Sequence, residues 1–297
     1  MHRITRIAIA ALASVGMLAS VAACGSSQST SEKNGTIEVV ASVNQWGTVA
    51  KTLGGDNVNV TSIINSTNVD AHDYEPTTSD IAKLQKAQVI IVNGAGYDAW
   101  AVKAAQTANA TIVNAAEVGG VNDGENPHVW FSADVRKAVA QAITEAYEQA
   151  DAAKKNDFDK MNDQWTAEEN NVESKITEVK QKTDGLAYAA TESVASYLAE
   201  DMGLTDATPS GYARATANES EPTPTDIKQF TDALKAGEIK LLVVNTQEES
   251  ELTGKITDAA KSVEVPMVEL TEQMPEQYDS LTAWMGGLVD TFSQAIA

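Results

Sequence analysis

Residues 158–183 read FDKMNDQWTAEENNVESKITEVKQKT. Apolar side chains recur at Phe158, Met161, Trp165, Val172, Ile176 and Val179, at gaps of 3, 4, 7, 4 and 3. Such gaps keep to one face of an α-helix. Neither Gly nor Pro interrupts the run, and Gly185 follows as a stop signal. A long helix with a single apolar stripe has to be covered. Packing across two domains covers it more simply than an exposed coiled-coil arm does. Segment 151–184 is therefore expected to be one long linking helix that divides the chain.

On its N-terminal side, β-rich apolar runs alternate with helical patterns. Strands are expected over 37–43, 58–64, 89–93 and 111–114, with helices near 48–53, 79–86 and 100–107. Residues 133–183 then hold no strand candidate and no Pro, with one break around 152–157. Past Gly185 the alternation resumes. Strands fit 186–190, 241–245 and 266–270, and helices fit 193–202, 225–236, 253–262 and 278–295. Strand–helix alternation argues for parallel sheets. The expected architecture is α/β, with an N-terminal lobe over 36–150, the linking helix, and a C-terminal lobe over 185–297. A chain of 297 residues has room for both.

The first residues read as an export segment. Arg3 and Arg6 precede an apolar run from Ile7 to Ala23 that carries no charge. It falls short of the roughly 20 residues a spanning helix needs. The run ends Val21-Ala22-Ala23-Cys24, and small residues before a cysteine resemble a bacterial lipoprotein cleavage box. Residues 1–23 are thus expected to be removed and Cys24 lipidated, with 24–35 (CGSSQSTSEKNG) as a flexible tether. The mature protein would be exported and anchored to the outer face of the cytoplasmic membrane. Cys24 is the only cysteine, so neither an internal disulfide nor a cysteine-based zinc site can form.

With 42 acidic against 21 basic residues, the chain has a net charge of -21. Such a surface repels nucleic acid and attracts cations only diffusely. Histidine is scarce: His2 leaves with the leader, and only His72 and His128 remain. Both lie in polar loops beside prolines and acids, in DAHDYEP (70–76) and ENPHVW (125–130). Imidazole is a common ligand of first-row metals. In open α/β sheets, ligands bind beyond the carboxyl ends of the strands. His72 follows the 58–64 strand, and His128 lies in the last loop before the helical section. Glu192 follows the 186–190 strand, and Glu272 follows the 266–270 strand. Two candidate ligands per lobe could therefore face one cleft.

The ordered motifs add a resemblance. They are GGDNV (54–58), DAHDYEPTTSD (70–80), Asn93-Gly94 with Tyr97-Asp98, NPHVW (126–130), and Thr191-Glu192 followed by Tyr197-Leu198. EPTP (221–224) and VPMVELTE (265–272) complete the set. From about Thr36 to the C-terminus the chain resembles the metal-binding solute-binding lipoproteins of bacterial manganese/zinc ABC importers. These are the A-I cluster of such proteins, like the zinc-uptake periplasmic proteins. The resemblance implies two α/β lobes joined by a rigid helix, with one divalent metal ion between them. It implies an ABC permease and its ATPase as partners, a monomer, and no enzymatic role. His72 and His128 carry over directly. Glu192 stands where the family has His or Glu. Glu272 stands where it usually has Asp, with Glu269 and Asp279 as rivals. Ala71 departs from the Pro usual before the first histidine.

Two imidazoles and two carboxylates are a harder donor set than three imidazoles. This favours Mn2+, with Zn2+ second. Carboxylates that bind through both oxygens can also raise the coordination number above zinc's four. A surface adhesin is the alternative reading, and a metallohydrolase a weaker one. No HExxH pair, P-loop or G-x-S-x-G elbow is present. Continuity of the long helix predicts a small local opening around Glu192 and the 245–252 loop. Repulsion among Glu248, Glu249 and Glu251 would loosen that loop.

Overall fold

The apolar run Ile37–Val43 forms the first strand, β1, in a computed structural model that describes residues 35–69 and 71–297. It pairs in parallel with β2 (Val58–Ile64) on one side and β3 (Val89–Val92) on the other. β4 (Thr111–Asn114) extends the sheet beyond β3, giving the order β2-β1-β3-β4. The crossovers are α1 (Asn44–Gly54), α2 (Thr78–Lys86) and α3 (Ala99–Ala105); the short α4 (Ala115–Val118) follows β4. A 3-10 turn at Val129–Phe131 leads into α5 (Ala133–Ala150), and a second at Ala152–Lys154 into α6 (Lys155–Thr183). The chain leaves α6 through Gly185, at φ +78°, a conformation that costs glycine little.

The second sheet repeats the order of the first. Its strands are β5 (Ala187–Ala190), β6 (Thr205–Asp206), β7 (Leu241–Asn245) and β8 (Met267–Leu270), arranged β6-β5-β7-β8 and all parallel. Around them lie α7 (Ser196–Asp201), α8 (Ser210–Ala217), α9 (Pro224–Lys235), α10 (Glu251–Ser262) and α11 (Leu281–Ala295). Neither α4, α8 nor β6 was expected. β6 has two exposed residues and no alternation to read, and α8 buries only Tyr212.

Alternate strand residues face different cores, as a pleated strand requires. Val39, Ala41, Leu241 and Val243 join a core that runs continuously through both halves. Val40, Leu242 and Val244 face separate outer clusters. Phe158, Trp165, Val172, Ile176 and Val179 of α6 belong to the shared core, and α6 packs on α1 and α5 as well as α11. One residue on this buried face is charged. Glu169, fully buried, meets Arg136 of α5: Arg136 Nε donates to its two oxygens at 3.0 and 3.1 Å. Nη1 of the same arginine donates to the Trp130 carbonyl at 3.0 Å.

Residues 35–297 cluster as one compact unit. The export segment, Cys24 and most of the tether lie outside the described residues. Among the described residues, no helix is long and apolar enough to cross a membrane.

Candidate metal centre

In both sheets the order in which strands are added reverses at a switch point, between β1 and β3 and between β5 and β7. The carboxyl ends of these strands face a common crevice, where ligands of open α/β sheets bind. Polar residues mark each end: Asn44 after β1, Asn93 after β3, Thr191 after β5, and Asn245 closing β7. Asn44 and Met274 exchange two hydrogen bonds across the crevice, at 2.8 and 3.2 Å. Gln45 Nε2 donates to the Glu272 carbonyl at 2.6 Å. Gln247 Nε2 donates to the Thr67 carbonyl at 3.0 Å.

The structure brings His72, His128, Glu192 and Glu272 together. One potential ligand atom from each lies within 4.8 Å of the others. His72 Nε2 is 3.6 Å from Glu272 Oε2, and His128 Nε2 is 3.8 Å from the same oxygen. His128 Nε2 is 3.7 Å from Glu192 Oε1. A tetrahedron with bonds of about 2.1 Å has edges of about 3.4 Å; these three pairs exceed that by a few tenths of an ångström, and the remaining pairs, within 4.8 Å, have farther to close. The rivals stand elsewhere. Glu269 is on the exposed side of β8, and Asp279 is exposed before α11.

Each donor is oriented from behind. His128 Nδ1 lies 2.7 Å from Asn126 Oδ1, which also accepts the His128 backbone N–H at 3.0 Å. The Asn126 amide nitrogen donates to the Ser193 carbonyl and to Ser196 Oγ, at 2.7 and 2.6 Å. These bonds fix which end of the amide faces the histidine. Nδ1 therefore carries the proton, and the Nε2 lone pair points into the cluster. His128 Nε2 is buried and makes no hydrogen bond. A buried imidazole nitrogen left this way, with two carboxylates beyond hydrogen-bonding distance, suits a cation between them.

His72 lies on the loop between β2 and α2, its Nδ1 3.3 Å from Glu219 Oε1 and its ring edge-on to Tyr97. Tyr97 is presented by the turn after β3, where Gly94, Ala95 and Gly96 all have positive φ. A Cβ on Gly94 would come within 2.1 Å of Asn114 Oδ1, so glycine is required there. The Tyr97 hydroxyl donates to Glu272 Oε2 at 2.9 Å and accepts from Gln273 Nε2 at 2.8 Å. Asn245 Nδ2 donates to Glu192 Oε2 at 2.7 Å and to Glu272 Oε1 at 3.1 Å.

Burial, reinforced by the charge of Glu272, raises the Glu192 carboxyl above its ordinary range. Burial acts on Glu272 in the same direction, but His128, His72 and the Tyr97 hydroxyl outweigh it and hold that carboxyl low. The pair's first proton thus belongs on Glu192. His128 and Glu272 expose only 3% and 4% of their side chains, against 21% for His72 and 17% for Glu192. The cluster therefore opens to solvent on the side of His72 and Glu192.

The 245–252 loop, expected to be loosened by Glu248, Glu249 and Glu251, is anchored at two points. Gln247 Oε1 accepts the backbone N–H groups of Glu272 and Gln273, at 2.7 and 3.1 Å, while its Nε2 reaches Thr67. Ser250 caps α10. Glu248 and Glu249 are exposed between these anchors. Asn126, Tyr97, Asn245 and Gln247 were not singled out as site residues from the sequence.

The family model for the zinc-uptake complex component A periplasmic proteins matches residues 39–295. The chain belongs to this family. A curated relative is the manganese ABC transporter substrate-binding lipoprotein scaA of Streptococcus gordonii, 24% identical over 312 residues and 96% of each chain. Among solved structures, the periplasmic zinc-binding protein TroA from Treponema pallidum superposes with a TM-score of 0.75 at 16% identity, over 89% of this chain and 100% of that one. The laminin-binding protein of Streptococcus agalactiae, described as a bifunctional adhesin and metal transporter, gives 0.73 at 20% identity, over 88% and 100%. At these identities the structural likeness establishes the zinc-uptake family fold.

Proposed function

We propose that this protein is the extracytoplasmic solute-binding component of an ABC importer. It captures one divalent transition-metal ion, Mn2+ or Zn2+, through His72, His128, Glu192 and Glu272. The observation that carries the reading is the buried, unbonded Nε2 of His128, facing two carboxylates and a second imidazole contributed by both halves of the chain. Two anionic carboxylates balance a divalent cation, so the loaded site is neutral and can stay buried. The units we assign are lobes 36–150 and 185–297 with the linking segment 151–184. An ABC permease and its ATPase receive the ion. Adhesion, the second property in the description of the laminin-binding neighbour, would use the outer surface and not this site.

Metal binding should tie the two lobes together without large movement. α6 is continuous over 29 residues and contains neither Gly nor Pro. The shared core crosses it, so it offers no hinge. Opening is confined to bonds such as Gln247–Thr67 and to the segment around Glu192. Equilibrium dialysis should find one Mn2+ or Zn2+ per chain. At a thousandfold excess over Kd, binding stabilises the fold by about 4 kcal/mol, read as a raised melting temperature. Small-angle scattering should show almost no change in radius. A radius that falls by several ångströms on metal addition would refute the rigid-spacer account.

Attachment through Cys24 is the matching proposal for location. Cys24→Ser should leave the protein unlipidated, so that it sheds into the medium or stalls in processing. Persistent membrane attachment of this variant, in fractionated cells, would count against the anchor.

A further inference from the structure

We propose that Asn245 sets the metal preference of the site by restricting Glu192 and Glu272 to one metal-facing oxygen each, which favours four-coordinate Zn2+ over Mn2+. The inference rests on the metal-binding reading above and concerns a residue outside the ligand set. Asn245 closes the central strand β7, and 1% of its surface is exposed. Its amide nitrogen uses both hydrogens on the two carboxylates, one on Glu192 Oε2 and one on Glu272 Oε1. The other oxygens, Glu192 Oε1 and Glu272 Oε2, are those nearest the imidazole nitrogens. Each carboxylate therefore spans from the amide to the histidines, with one oxygen turned each way.

The amide cannot turn over to release them. Its Oδ1 accepts the Gln247 backbone N–H at 3.0 Å, and its own backbone N–H donates to Thr191 Oγ1 at 3.0 Å. A carboxylate chelates through both oxygens only when both face the ion. Held this way, two imidazoles and two carboxylates supply four donor atoms. Four donors match tetrahedral zinc, whereas manganese favours six, mostly oxygen. The hard oxygens that favour manganese by chemical type are thus limited in number by Asn245.

The test uses the metal-free full chain loaded with Zn2+ or Mn2+. X-ray absorption on the wild type should show about four nitrogen or oxygen neighbours around Zn2+. Asn245→Ala should let the carboxylates turn and increase the neighbours around Mn2+. In competition titrations it should lower the Zn:Mn affinity ratio about tenfold or more, the scale of outer-shell changes. Wild-type protein that binds Mn2+ with both carboxylates chelating would overturn the proposal, as would an unchanged ratio in a folded Asn245→Ala variant. If that variant does not fold, the wild-type absorption spectrum decides alone. A wild type that binds neither metal would overturn the metal-site reading itself. Binding that is lost in His128→Ala but has the same ratio in Asn245→Ala would overturn only the role of Asn245.

Discussion

His128→Ala is expected to weaken binding of Zn2+ and Mn2+ about a hundredfold or more. Loss of a hydrogen-bonding partner behind a ligand already costs roughly 10–100-fold. Here the donor atom itself disappears. The His128 ring is buried against Tyr97 and Trp130, with ring centroids 5.9 and 5.5 Å away. Alanine leaves a gap that no neighbouring donor fills. Glu192 and Glu272 would then share the buried site without the imidazole that stands 3.7 and 3.8 Å from them. Isothermal titration of the metal-free variant reads the effect, and its circular dichroism spectrum shows whether the fold is kept. Wild-type affinity in a folded His128→Ala would remove His128 from the site.

The fold was legible because each signal is local. β1 and β2 are short runs rich in Val and Ile between polar turns, and the structure forms them over 37–43 and 58–64 as read. The four proposed ligands were legible for two reasons. Histidine is rare in this chain, and a parallel sheet sends its strand-end loops to one side. The structure gathers all four within 4.8 Å. What holds them was not legible. Asn245 looks like the last polar residue of an apolar strand, LLVVN, and only the pairing of β7 between β5 and β8 brings it to both carboxylates. Asn126 stood in the quoted NPHVW run, but its role depends on Ser193 and Ser196 from the other half of the chain. Contacts between residues 67 to 70 positions apart leave no mark on periodicity or spacing.

The apolar stripe of α6 jumps by seven from Trp165 to Val172, and the skipped position is Glu169. Helical geometry places that carboxylate on the buried face, where it must find a counter-charge. It finds Arg136, and the pair is fully buried. Glu169→Ala should destabilise the protein by about 3–5 kcal/mol, because a guanidinium cannot shed its proton and loses its buried ion-pair partner. Asp201, whose carboxyl is raised by burial and drawn down by Arg136, is a remaining counter-charge that holds the cost toward the lower end. The melting temperature of the metal-free protein should fall by on the order of 10 °C. A paired replacement, Arg136→Met with Glu169→Leu, should recover most of this, since an apolar pair incurs no desolvation penalty. Metal affinity should respond in a telling order. Arg136 also holds the Trp130 carbonyl, and the Trp130 ring lies edge-on to His128. The paired replacement should therefore regain stability yet bind metal more weakly than wild type. If Glu169→Ala and the paired variant melt together, the buried charge is not the source of the loss. If the paired variant binds as wild type does, Arg136 supports the helices alone and has no hold on the metal loop.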